Sequence, residues 1–435
     1  MKPVKTLLIA AALAPFAAVA QTGTLPIVRI STDNATPIVD KVTPIPGRMI
    51  VEETDGSLSE PMELTIRGRG NSSWKYSNKK PYKVKFAEKQ PLLGMARSRH
   101  FAVMKYDDTF ASYMALEAMR RLGAPWAARM VPAEVVLNGS FDGFYYMSET
   151  VRVASDRVNI TKQADGITDP ALIPYGWLVE VDNYYAAYQV TIKEPGMSSL
   201  KLTMHSPEVL SDQQRQWITG EFNSIIADLY SNTDCWIERI DLTSVARYFI
   251  VREVFHDTDA YHGSLYLYRD HGKWHFGPLW DGMLSEPKTD WVINNHPNYA
   301  TTHLIKPIMQ TPAFWEEVGR LWPAFRNEVM PALFEEIDRM ALLCAAADEA
   351  NQIRWEYANR RTTADKAATL KQALLTASEW MESHLTPYLA IEETAVDGDD
   401  TEPAYYDLSG KRVNSPTRGI FIEKRGKTAK KLFIR

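Results

Sequence analysis

Hydrophobic and polar positions divide the chain into four stretches. From Leu25 to Thr65, short apolar runs (Ile27–Ile30, Met49–Glu52, Glu63–Ile66) broken by Pro, Gly and Asp predict β-strands. Tyr82–Phe86 alternates as a strand that puts Lys83 and Lys85 on one face. A mixed centre follows. Phe110, Met114, Ala118 and Leu122 fall at helical spacing, and Gly123 ends that helix. Ala133–Leu137 and Gly143–Ser148 flank Asn138-Gly139 and predict a hairpin. Gly176–Val181 reads as a strand, Pro207–Leu229 as a helix capped at Ser211-Asp212, and Asp241–Val254 as a helix capped by Asp241. That helix delivers the chain to a second hairpin, Leu265–Arg269 and Lys273–Phe276 around His271-Gly272. After an irregular loop over Pro287–Thr302, nearly everything from Ile305 to Tyr388 is helical. Ala404–Arg435 returns to β, as three short strands with Gly turns in a basic setting.

Composition adds little to this picture: 435 residues, 45% hydrophobic and 24% charged, is ordinary for a globular protein with an ample core. A net charge of −5 carries no general nucleic-acid signal. The N-terminus changes the picture more. Lys2 and Lys5 precede an apolar run, Leu7–Val19, that ends in Ala18-Val19-Ala20 before Gln21, the pattern of a secretory signal peptide over residues 1–20. The run is too short for a membrane anchor, no other segment is long and apolar enough to span a bilayer, and no cysteine immediately follows the cleavage point, which argues against a lipoprotein anchor. Export is therefore expected. Cys235 and Cys344 sit in flanks that read as helical core, which suits buried thiols as well as one disulfide. Asp397-Gly398-Asp399-Asp400 marks an acidic linker over 393–403, before the β tail of 404–435.

The second hairpin is where chemistry first suggests itself. Asp259 precedes its first strand and Asp281 follows its second, and a hairpin returns both ends to the same side. Two acids held together can bind a divalent metal, or act as base and metal ligand; capping of turns is the plainer use of each. Upstream, Arg67-Gly68-Arg69-Gly70-Asn71 is a cationic, glycine-containing loop that feeds the strand bearing Lys83 and Lys85, an arrangement suited to a polyphosphate. It is no Walker loop, and aligned lysines also suit a solvated strand face. Glu180 and Asp182 share a strand face, the nine histidines show no metal spacing, and there is no Gly-x-Ser-x-Gly elbow. Trp74, Trp274, Trp280 and Trp291 are candidates for core or for the wall of a sugar or adenine pocket.

Taken in order, RGRGNSSW (67–74), KKPYKVKF (79–86), LLGM (92–95), VVLNGSFDGFYYMSETV (135–151), DRVNI (156–160), GWLVEVD (176–182) and YFIVREVFHDTDAY (248–261) through YLYRDHGKWHFGPLWD (266–281) resemble the CotH-like kinase family. The resemblance covers roughly Leu25 to Leu389, most of the mature chain, and implies a CotH-like kinase domain over residues 24–392. It implies an α+β, atypical protein-kinase-like fold with a β-rich N-lobe, a mixed centre and a helical C-terminal block. It implies ATP and Mg²⁺ or Mn²⁺ as cofactors and a protein Ser or Thr hydroxyl, or the chain itself, as acceptor. By position, Asp259 would orient that hydroxyl and accept its proton, and Asp281 would hold the metal. Lys83 or Lys85 would neutralise phosphate, Glu149 would hold that lysine or approach the metal, and Arg69 and Asn71 would shape the phosphate loop. The tail, YYDLSGKRV through GIFI to the basic end, resembles the β-type sorting tails of secreted Bacteroidetes proteins, which implies passage to the outside or the cell surface.

Three places depart from the family pattern, the first being Tyr113-Met114, in a helix where members tend to carry an arginine. Met283 stands where members often carry a second acid, and Gly263-Ser264 where an asparagine often follows the catalytic acid. A second reading is therefore a pseudokinase-like surface module that binds a glycan or protein without chemistry. A two-carboxylate glycoside hydrolase fits the aromatic content, but no motif supports it.

Overall fold

The computed structural model describes residues 23–105, 109–182, 190–192, 199–231, 234–257, 260–261, 263–282, 290–295, 300–385, 403–407, 410–417, 419–425 and 428–434. The expected signal peptide, Asp259, Met283 and all but the last residue of the acidic linker lie outside the described residues.

The elements begin with β1 (Ile27–Thr32), β2 (Ile45–Glu52), β3 (Met62–Gly68), α1 (Ser72–Tyr76), β4 (Tyr82–Leu92), β5 (Met95–Lys105), α2 (Ala111–Arg121), β6 (Met130–Leu137) and β7 (Ser140–Glu149). They continue through β8 (Leu178–Val181), β9 (Val190–Ile192), β10 (Leu200–Ser206), α3 (Asp212–Tyr230), α4 (Leu242–Val254), β11 (Leu265–Asp270), β12 (Lys273–Phe276) and α5 (Ala300–Met309). The remainder is α6 (Pro312–Ala324), α7 (Met330–Leu343), α8 (Ala345–Arg354), α9 (Thr363–Leu385), β13 (Ala404–Tyr406), β14 (Arg412–Val413), β15 (Gly419–Arg425) and β16 (Thr428–Ile434). The protein is α+β, and its chain forms two compact units.

The first unit comprises residues 23–105, Val131–Ser148 and Leu343–Thr362. Its strands close into a seven-stranded barrel in the order β1-β2-β3-β4-β5-β7-β6, where the sequence predicted only a β-rich stretch. Parallel pairing of β1 with β6 makes the closure, and the Asn138 side chain accepts from the Thr32 main-chain N–H at 2.8 Å beside it. Period-two alternation explains the interior: Ile66, Tyr82, Val84, Phe86, Phe101, Val103, Val135 and Tyr145 are all buried in one cluster. The Asn138-Gly139 turn joins β6 to β7 with both residues at positive φ, as a two-residue hairpin requires.

The helix α8 belongs to this barrel unit, although the sequence places it in the helical block. A buried polar seam attaches it. The Lys79 ammonium lies over the Tyr145 ring at 4.2 Å and donates to the Asn351 side chain at 2.7 Å and to the Phe144 carbonyl. Asp142 accepts from the Tyr145 hydroxyl at 2.7 Å, and its own carbonyl accepts from the Trp355 indole at 2.8 Å. Burial raises the Asp142 pKa above the ordinary carboxylate value, against the pull of the Tyr145 hydroxyl and Lys79.

The second unit holds the described parts of Tyr106–Met130, Glu149–Leu342 and Thr363–Arg435. Its sheet is antiparallel, in the order β12-β11-β8-β10-β9. Helix α4 packs against β12, α2, α6 and α9 and is buried from Ser244 to Ala246 and from Tyr248 to Val254. Caps start two of its helices, α3 at Ser211 and α4 at Asp241, as the sequence predicts. Ser211 and Gln214 form a complete capping box on α3, and the Asp241 carboxylate accepts from the Ser244 N–H at 2.7 Å on α4. The tail forms a four-stranded sheet, β14-β13-β15-β16, rather than three strands. Gly410, at φ +82°, turns the chain inside what reads as one strand and separates β13 from β14.

The structure selects between the alternatives the sequence leaves open for the cysteines and tryptophans, and it corrects the helical-core reading of Cys235. The two cysteines form no disulfide: Cys344 is buried, while Cys235 lies exposed on a short 3-10 turn rather than in helical core. Trp274 and Trp280 are core residues, 1% and 7% exposed, so neither walls an open pocket.

Candidate functional site

The hairpin of β11 and β12 forms one edge of the second unit's sheet, and its open end is gathered by one side chain that sequence reasoning passed over. Arg252, near the C-terminal end of α4, is 2% exposed. Its guanidinium pairs with the Asp257 carboxylate, on the segment that leads into the hairpin. The same group donates to the Trp280 carbonyl at 2.9 Å and to the Asp281 carbonyl at 2.5 Å, on the segment that leaves it. It also lies 5.0 Å from the Tyr248 ring centroid. Burial opposes its charge, but Tyr248 and Asp257 outweigh that and hold its pKa above the ordinary arginine value. A planar fork with five donors is what makes one side chain able to bracket two separate segments.

Further buried contacts fix the same region. The Tyr248 hydroxyl donates to the Ala260 carbonyl at 3.1 Å. Glu253, fully buried, accepts from the Tyr261 hydroxyl at 3.3 Å and from the Val292 N–H at 2.9 Å. Ser112 of α2 donates to the Gly282 carbonyl at 2.5 Å. His256, Ser264 and Asp281 all adopt positive φ, at 46°, 54° and 52°. Non-glycine residues in that region cost energy and persist only where surrounding contacts over-determine them. Here they frame the open end of the hairpin.

Asp281 is exposed, with its main chain clamped by Arg252. Asp259 lies outside the described residues, two positions beyond the clamped Asp257. Glu149 is 2% exposed, and its carboxylate accepts from the Arg129 N–H at 3.0 Å within the second unit. Glu180 is held by His205 at 2.8 Å. The basic candidates belong to the barrel unit. Lys83 is half-buried and Lys85 exposed, alternating with the core residues Tyr82, Val84 and Phe86 and so placed on the outer face of β4. The Arg69 main-chain N–H donates to the Pro81 carbonyl at 3.1 Å, its side chain reaches the Met104 sulfur, and Asn71 accepts from Lys41 at 3.1 Å. The loop between them carries α1, with Trp74 packed on the barrel core.

Among the described residues no three His, Cys, Asp or Glu side chains are grouped to hold a metal ion. Mg²⁺ is usually bound by one or two carboxylates together with phosphate oxygens and water, so it needs no such group of three. No helix among the described residues is long and apolar enough to cross a membrane.

The sequence held one signal for the clamp. Arg252 and Asp257 lie five residues apart across the end of a helix whose apolar positions surround the arginine, and a charge in such a run needs a partner. No curated protein matches this chain. The model of the CotH kinase protein family matches residues 66–382, a span that includes β4, α4, the hairpin, Arg252, Asp257 and Asp281. The chain belongs to the CotH kinase family.

Proposed function

We propose that this chain is an exported atypical kinase, on a protein-kinase-like fold, that transfers the γ-phosphate of ATP to a protein Ser or Thr hydroxyl or to itself. The observation that carries the reading is the Arg252 clamp, which ties Asp257 and the Trp280-Asp281 main chain to one guanidinium. Phosphoryl transfer depends mainly on positioning and charge neutralisation, so a rigid hairpin end that presents acids is the part it most needs. Asp281 holds Mg²⁺ or Mn²⁺ in this reading, and the metal neutralises charge on the ATP phosphates. Asp259 orients the acceptor hydroxyl and takes its proton. Lys83 or Lys85, with Arg69 and Asn71, balances phosphate charge, and Glu149 supports the set. Export rests on the pattern of residues 1–20.

The test is Mg²⁺- or Mn²⁺-dependent transfer of label from γ-labelled ATP by the mature chain, beside Asp259→Ala and Asp281→Ala. Label incorporated by the wild type and lost in both variants supports the proposal; equal incorporation in all three removes it. Met283 and Ser264 favour a second reading, a surface module that binds without transfer. Thermal stability unmoved by ATP and metal would select that one.

A further inference from the structure

The second unit contains a cavity of about 160 Å³ that the phosphate-transfer reading does not use. It lies where the loop after α2 meets α4 and the hairpin, and its wall runs along the hairpin from Asp270 beside the turn, through Tyr268 and His275, to Pro278 past the end of β12 and short of Asp281. A space of this size holds one six-membered ring, since a cavity near 150 Å³ accommodates benzene.

The chemistry of the wall is specific. Two arginines, Arg157 and Arg247, line it, and the guanidinium of each is pinned by a main-chain carbonyl: Arg157 by Thr150 at 2.7 Å and Arg247 by Leu122 at 2.9 Å. Burial lowers the pKa of each from the ordinary arginine value; for Arg157 the Glu149 and Asp156 carboxylates pull the other way, and for Arg247 the Asp241 carboxylate does. Asp270 is the carboxylate of the wall, and His275 is directed to Asp241 at 3.5 Å. Flat groups complete it. Trp126 and Pro278 line the space, and the Tyr268 and His275 rings stack with centroids 4.8 Å apart. Cationic forks among flat rings recognise a planar or cyclic body that ends in an oxyanion.

We infer that this cavity binds a compact, ring-bearing oxyanion, a single six-membered ring with a carboxylate or phosphate that Arg247 and Arg157 receive. The inference goes beyond the phosphate-transfer reading and stands without it. It is tested by calorimetric titration of the mature chain with benzoate, glucuronate and phenyl phosphate, with benzyl alcohol and glucose as uncharged controls. Saturable one-site binding is expected for at least one of the anions, at about millimolar affinity or tighter, and none for the controls. The arms separate a carboxylate source from a phosphate source. Arg247→Gln is expected to weaken binding at least ten-fold. Asn159→Asp, a change at an exposed residue of the wall that leaves the buried contacts alone, is expected to weaken it several-fold. Asp281→Asn is expected to leave it unchanged. The inference is overturned if no anion saturates, if the uncharged controls bind equally, or if Asn159→Asp binds like wild type. Loss of binding in Asp281→Asn would also overturn it, by moving the anion to the segment that bears Asp281.

Discussion

Arg252 donates to the main-chain carbonyl of Asp281 at 2.5 Å from a guanidinium that is itself paired with Asp257. One buried side chain therefore sets the spacing of the two segments that enter and leave the β11–β12 hairpin. The Asp281 carboxylate owes its place to a helix residue 29 positions away.

Breaking that clamp from one side should be costly. Arg252→Met leaves the Asp257 carboxylate buried without its charge partner, and a loss of about 3–5 kcal/mol is expected. Arg252→Met/Asp257→Leu removes both charges and should lose clearly less. Urea unfolding of the three proteins measures the difference; equal losses in the single and double variants would show that the pair is not coupled.

Gly282 should tolerate no side chain. A Cβ there would stand 2.9 Å from the Ala115 Cβ and 3.1 Å from the Ser112 Cα of α2, and both belong to a packed helix that cannot give way cheaply. Gly282→Ala is expected to cost about 1–3 kcal/mol by overpacking. Because the shift falls on the residue after Asp281, metal-dependent label transfer should drop more than stability does. Assay of both quantities on one preparation checks this.

In the barrel unit, Gly143 plays a comparable part. It sits at φ +130°, and a Cβ would meet the Asn351 side-chain oxygen at 2.6 Å, the same oxygen that receives Lys79. Gly143→Ala should displace α8 from the barrel and destabilise by about 2 kcal/mol or more. Limited proteolysis within Leu343–Thr362 provides the readout, with faster cleavage in the variant expected.

Asp241 gives a pH prediction. Hydrogen bonding to His275, with help from the Ser244 main chain, holds its pKa at about 2 against the pull of burial. The unfolded value is about 3.9, so its stabilising contribution is complete above about pH 4 and is lost as pH falls towards 2. Asp241→Ala should cost about 1 kcal/mol near neutrality through the lost helix cap. The gap between wild type and variant should narrow below pH 4, as followed by denaturant unfolding along a pH series. A gap that stays constant to the lowest pH would contradict the assignment.

Much of this was legible along the chain because its signals are local. Ser211 with Gln214, Asp241, Asn138-Gly139 and His271-Gly272 act within a few residues, and each appears where the sequence predicts. Strands β5 and β10 were missed for a physical reason. Met95–Lys105 is interrupted by Arg97-Ser98-Arg99-His100, where its register against β4 shifts, and Leu200–Ser206 is fixed between β8 and β9, so both depend on pairing partners. Closure of the barrel depends on β1 pairing with β6, where Thr32 meets Asn138 106 residues later, and the transfer of α8 to it depends on Lys79 meeting Asn351, 272 residues later. Arg252 was hidden likewise, since helical periodicity reports that a position is buried but not which charge it meets.

Mn²⁺ binding in the presence of an ATP analogue, followed by electron paramagnetic resonance on the mature chain and on Asp281→Asn, tests the central claim most directly. The account predicts a protein-bound Mn²⁺ signal in the wild type and at least about ten-fold weaker binding in the variant, a difference of about 1.4 kcal/mol. Equal Mn²⁺ affinity in the two proteins would contradict the assignment of Asp281 as the metal ligand at the clamped end of the hairpin.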